Sequence, residues 1–236
     1  MAAAIDGPRL EPRSGKARQL VVFLHGYGAD GNDLIALGQE WQNELPDAAF
    51  VTPHAPETCG GAPMGRQWFE LTFRNPDERW RGVNAAAPVL QSFLDAELAR
   101  RGLTADALAL VGFSQGTMMA LHAGLRRQVA PAAIVGYSGI YVTPESEDGP
   151  DLAASEIRSR PPVLLVHGTR DDLIPMQALF ASAQLLSAAE VPVEWHLSQG
   201  VGHGIDGEGL RHGVQFLATA FARKRLAPGA LLKTDA

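Results

Sequence analysis

Short apolar runs and helical segments take turns along this chain. The apolar runs lie at Gln19–Leu24, Ala48–Pro53, Ala107–Phe113, Ala132–Ser138, Pro162–His167 and Val193–Leu197. Segments of helical periodicity separate them at Asp33–Leu45, Val83–Arg101, Gln115–Arg127, Met176–Ala189 and Gly209–Arg223. Most runs are apolar at successive positions rather than at every second one, which marks strands covered on both faces. Strand–helix alternation builds βαβ units. An α/β fold follows, with a mostly parallel central sheet flanked by helices on both faces. The 236 residues suit one such domain, expected over 19–226. Residues 1–18, with two prolines and two glycines, read as a loosely ordered lead-in that has room for a short first strand. Residues 227–236 read as a frayed tail.

One stretch breaks the alternation. Residues 57–81 contain Gly60, Gly61, Pro63, Gly65 and Pro76, yet also Trp68, Phe69, Phe73 and Trp80. Long connections inside compact domains are mostly functional, so a substrate-facing loop or lid is expected here.

Composition removes several function classes. The net charge of −6, from 20 basic and 26 acidic residues, argues against a nucleic-acid footprint, which needs a concentrated basic face. A single cysteine, Cys59, cannot form an intrachain disulfide. Asp6, Arg9, Glu11 and Arg13 interrupt any apolar leader, and no apolar run approaches the ~18 residues of a membrane span. A cytoplasmic protein without membrane insertion is expected.

Gly112-Phe113-Ser114-Gln115-Gly116 matches G-x-S-x-G and stands between an apolar strand and a helix. That setting gives the motif its meaning. A sharp strand-to-helix turn needs small residues on both sides of the serine, and it presents the hydroxyl above the C-terminal edge of the sheet. The helix N-terminus there favours developing negative charge. Ser114 is the candidate nucleophile.

A serine hydroxyl needs a base to take its proton, and the base needs an orienting acid. The run Pro162–His167 ends in Gly168-Thr169-Arg170-Asp171-Asp172, so two aspartates follow a strand's C-terminal end. One can orient the base while the other caps the next helix. Among seven histidines, His203 lies in Gly202-His203-Gly204 between the last strand and last helix, where glycines let a loop present its imidazole. His212 and His122 fall inside helices, His196 within a strand and His54 after one. His25 and His167 sit at strand ends, placed to hold loops. His203 is the candidate base. An oxyanion needs two backbone donors. Gln115 N–H, just after the serine, is one, and Tyr27 N–H in Leu24-His25-Gly26-Tyr27-Gly28 is the other.

The same loop offers a rival. Gly26 to Gly31 also fits G-x-G-x-x-G, a dinucleotide fingerprint that would make the chain a nicotinamide-dependent oxidoreductase. That fingerprint requires an acid ending the second strand, and Asp47 precedes Ala48–Thr52 instead. C-x-x-C and H-E-x-x-H are absent, and the histidines show no ligand-like pairing in sequence. No metal and no organic cofactor is expected.

Taken together, these blocks resemble the phospholipase/carboxylesterase family of α/β-hydrolases, which includes acyl-protein thioesterases and small bacterial carboxylesterases. The resemblance rests on Leu24-His25-Gly26-Tyr27-Gly28 with Asp33, on Gly112–Gly116, on His167-Gly168 followed by Asp171 and Ile174-Pro175, and on Gly202-His203. It spans about residues 18–222. It implies an α/β-hydrolase fold, a Ser114–His203–Asp171 triad with Asp171 preferred over Asp172, and a small-molecule ester substrate. It permits a monomer or a homodimer. It also implies that Trp68 and Phe69, in Gln67-Trp68-Phe69, lie near the acyl pocket. Thr117 departs from the family pattern, where Gly or Ala often follows Ser-Gln-Gly.

Overall fold

The computed structural model describes residues 5–72, 74–75 and 77–226. The expected tail 227–236, the first four residues of the lead-in, Phe73 and Pro76 lie outside the described residues. Seven strands form one sheet: β1 (Arg9–Leu10), β2 (Gln19–Leu24), β3 (Ala48–Val51), β6 (Leu108–Phe113), β7 (Ala133–Tyr137), β8 (Val163–Gly168) and β9 (Val193–Ser198). Their spatial order is β1-β3-β2-β6-β7-β8-β9. Every pairing is parallel except β1 with β3, where Arg9 faces Val51 and Leu10 faces Phe50. Strands β4 (Glu57–Cys59) and β5 (Ala62–Gln67) form a separate antiparallel hairpin.

Strand periodicity sorts the core into two layers. Leu20, Val22 and Leu24 of β2 pack on one face against α2 (Glu78–Arg101), α3 (Gln115–Leu125) and α5 (Gln177–Ala188). Val21 and Phe23 point the other way, towards α1 (Gly31–Trp41) and α6 (Gly207–Leu226), which contribute Leu34, Trp41, Val214, Leu217 and Phe221. The central strands are buried along their length, which explains their unbroken apolar runs. A short helix, α4 (Gly149–Ser155), lies between β7 and β8. Among the described residues no helix is long and apolar enough to cross a membrane.

The chain runs from β2 through α1 to β3 on one side, then returns past β2 to β6 on the other. Strand order therefore reverses between β2 and β6, and the loops after these strands diverge. In open parallel sheets this crevice at the carboxyl ends of the strands is where ligands bind.

Candidate active site

The turn after β6 is built around its central residue. Ser114 holds φ 54° and ψ −115°, a left-handed setting that costs a non-glycine residue on the order of 1–3 kcal/mol. Both flanking glycines are sterically required. A Cβ on Gly116 would fall 1.8 Å from the Leu24 carbonyl oxygen, and one on Gly112 would fall 2.4 Å from Thr117 N. Ser114 N–H donates to Tyr137 O across to β7 (2.9 Å), while its carbonyl accepts from Thr117 N–H (3.0 Å).

Three distant segments meet at the serine. Ser114 Oγ lies 3.0 Å from His203 Nε2, and His203 Nδ1 lies 2.8 Å from Asp171 Oδ2. The carboxylate partner fixes the imidazole proton on Nδ1 and leaves Nε2 as acceptor for the serine hydroxyl. The other Asp171 oxygen accepts N–H donors from Leu173 (3.0 Å) and Ile174 (2.9 Å). Burial pushes the Asp171 pKa up, but the Ile174 donor, His203 and the Leu173 donor outweigh it and hold the carboxyl below its usual range. Asp172 makes no such contact among the described residues and is part of the cavity lining.

The loop after β2 faces the same point. Gly26, Tyr27, Ser114, Gln115 and His203 share the wall of one cavity of about 560 Å³. Neither Tyr27 N–H nor Gln115 N–H has an acceptor among the described residues, and Gln115 opens helix α3. The remaining wall is mostly apolar: Leu71, Phe113, Met118, Ile140, Leu173 and Ile174.

Trp68 and Phe69 do not form that wall, which corrects the expectation drawn from the resemblance. Both are buried in the core under the site. Trp68 Nε1 donates to His25 O (3.0 Å). The Gln115 side chain clasps the same segment, accepting from Trp68 N–H (2.9 Å) and donating to Phe69 O (2.8 Å). Of the described residues of 57–81, Leu71 and Arg79 reach the cavity. No sequence signal separated Leu71 from its aromatic neighbours. Part of this segment is regular structure: the β4–β5 hairpin and the first turn of α2.

The remaining histidines of the strand ends hold loops. His25 donates through Nδ1 to Gly26 O (2.8 Å) and accepts Ala55 N–H at Nε2 (3.0 Å). Burial lowers its pKa and keeps it neutral. His167 Nε2 lies 2.7 Å from Ile174 O and 3.2 Å from Asp171 Oδ2, which braces the acid loop. Thr117 Oγ1 reaches Gly112 O (2.8 Å) and Tyr137 O (2.9 Å), so the departure from the family pattern ties the turn to two strands.

The glycine loop does not make a phosphate cradle. Asp30 caps α1 with its own carboxylate, accepting from Asn32 N–H (2.7 Å), and His54 Nδ1 accepts Gly31 N–H (3.0 Å). The N–H groups of Gly31 and Asn32 at the start of α1 are thus already engaged, and the Asp30 carboxylate occupies the helix end that a pyrophosphate would need.

Comparison with known proteins agrees with this architecture. The family model described as Phospholipase/Carboxylesterase matches residues 6–221. The crystal structure of esterase PE8 superposes with a TM-score of 0.87 at 43% identity, covering 92% of this chain and all of that one. Acyl-protein thioesterase 1 of Gibberella zeae is 26% identical over 97% of this chain and 99% of its own length. Esterase YpfH of Escherichia coli is 27% identical over 85% of this chain and 82% of its own.

Proposed function

Because the chain belongs to the phospholipase/carboxylesterase family, we propose that it is a serine carboxylic-ester hydrolase acting on short- to medium-chain acyl esters through an acyl-enzyme intermediate. The observation that carries this reading is the relay from Ser114 Oγ to His203 at 3.0 Å and from His203 to Asp171 at 2.8 Å, opening on an apolar cavity. Ser114 Oγ attacks the acyl carbon as His203 Nε2 takes its proton. Asp171 stabilises the imidazolium and keeps the ring in register. The N–H groups of Tyr27 and Gln115 receive the oxyanion. His203 then protonates the departing alcohol, and water activated by the same imidazole releases the acid. No cofactor takes part, and the reaction runs in the cytoplasm on a small-molecule ester.

A second reading, an acyl-protein thioesterase or lysophospholipase, is favoured by the name of the Gibberella zeae relative, which matches nearly the whole chain. The same relay would serve a thioester. Initial rates on p-nitrophenyl esters from acetate to palmitate, with Ser114→Ala alongside, separate the two. A short-chain maximum that vanishes in the variant is expected. Serine-dependent turnover only on long chains moves the assignment to the second reading, and wild-type rates in the variant overturn both.

A further inference from the structure

Away from the cavity, the fold assembles three side chains whose chemistry the proposed reaction leaves unused. His196 stands on the edge strand β9, while Glu208 and His212 lie one turn apart near the start of α6. One ligand atom from each lies within 4.8 Å of the others. The rings of His196 and His212 are 4.1 Å apart between centroids and inclined by 31°. Glu208 Oε1 lies 4.0 Å from His212 Nε2. His196 Nε2 is buried and has no hydrogen-bond partner among the described residues. A buried imidazole nitrogen without a partner has lost its hydration without replacement, which is unfavourable unless something else binds it.

We propose that His196, Glu208 and His212 bind a divalent transition-metal ion of the zinc type. Two imidazoles and one carboxylate are a borderline-soft donor set that suits Zn²⁺ far better than Mg²⁺ or Ca²⁺. A tetrahedral ion about 2.0–2.1 Å from each ligand would draw the ligand atoms to roughly 3.4 Å from one another. The exposed side chains of Glu208 and His212 have the rotamer freedom to close that gap. Glu208 and His212 also leave the outer side of the site open, where water completes the coordination. Sequence spacing concealed the pairing because His196 comes from a strand and only the Glu-x-x-x-His spacing on α6 is local.

The position gives the ion a role. Strand β9 ends at Ser198 and α6 begins at Gly207, and the connection between them carries His203. A metal bridging His196 to α6 joins the two stems of that connection. Its effect is to hold the loop's ends together without touching the reacting atoms.

The test is calorimetric titration of the tag-free full chain with Zn²⁺ alone, with Co²⁺ absorption reporting the coordination geometry. Binding of one ion per chain is expected. His212→Ala, a change at an exposed position, should weaken binding about 100-fold or more, and Glu208→Gln about tenfold or more. Zn²⁺ at a hundredfold excess over its Kd should raise the melting temperature by roughly 5–10 °C in the wild type and not in His212→Ala. Unchanged affinity in both variants overturns the proposal. So does loss of binding in His203→Ala with retention in His212→Ala, which would locate the ion at Ser114 and His203 instead. Neither outcome depends on ester turnover.

Discussion

Asp171 is where burial and hydrogen bonding oppose each other most directly. Its side chain is fully buried, yet it stays ionised because two backbone donors and one imidazole converge on it. Asp171→Asn keeps the shape but presents a donor to His203, favouring the tautomer with Nε2 protonated and unable to accept from Ser114. Steady-state kinetics should show kcat lower by about 10⁴-fold, with KM little changed. The sequence narrowed the acid to Asp171 or Asp172, and the resemblance supplied the preference. Residue types alone could not decide between them, because an aspartate that caps a helix and one that orients a base follow a strand in the same way. Ser114 and His203 could be singled out because glycines stand two residues to either side of the serine after β6 and directly on either side of the histidine in the connection after β9.

At the scale of elements, the strand–turn–helix unit around Ser114 holds its strain by attachment to neighbours. Thr117 contributes through one hydroxyl shared between two carbonyls, and its methyl packs against Gly136 and Gly139. Thr117→Val preserves volume and removes the hydroxyl. It should lower stability by about 1–2 kcal/mol in urea unfolding while leaving most of kcat. The sheet strands and five main helices were readable because their apolar patterns are long and periodic. The hairpin β4–β5 was not, since glycines and a register shift at Thr58–Cys59 break its alternation. The cavity wall was equally hidden. Leu71, Met118, Ile140 and Ile174 come from four segments, and nothing local distinguishes an apolar side chain that lines a pocket from one that fills a core.

Across the whole molecule, acid should act through a group remote from the catalysis. His122 is buried between α2 and α3, edge-on to Trp80 at 5.6 Å. Burial first, then the Arg126 charge, lowers its pKa from 6.5 to about 3. The unfolded chain therefore takes up this proton before the folded one does. The stabilisation is complete above about pH 6.5 and is lost as pH falls towards 3, a contribution on the order of a few kcal/mol. His122→Leu should show a shallower loss of urea midpoint between pH 7 and 4 than the wild type.

The sheet order β3-β2-β6 also governs when this chain can become active. Leu20 must find Leu108 before the loop after β2 and the turn after β6 stand side by side. Contacts of such long sequence separation form slowly, because the intervening chain must first lose its freedom. His203 comes from the connection after the last strand. During synthesis, a chain emerging N-terminus first presents Tyr27 early, Ser114 midway and the imidazole last. On the proposed mechanism, turnover begins only when the sheet has closed at its centre and its final strand has docked, and ester hydrolysis in a refolding mixture would act as a clock for completion of the fold.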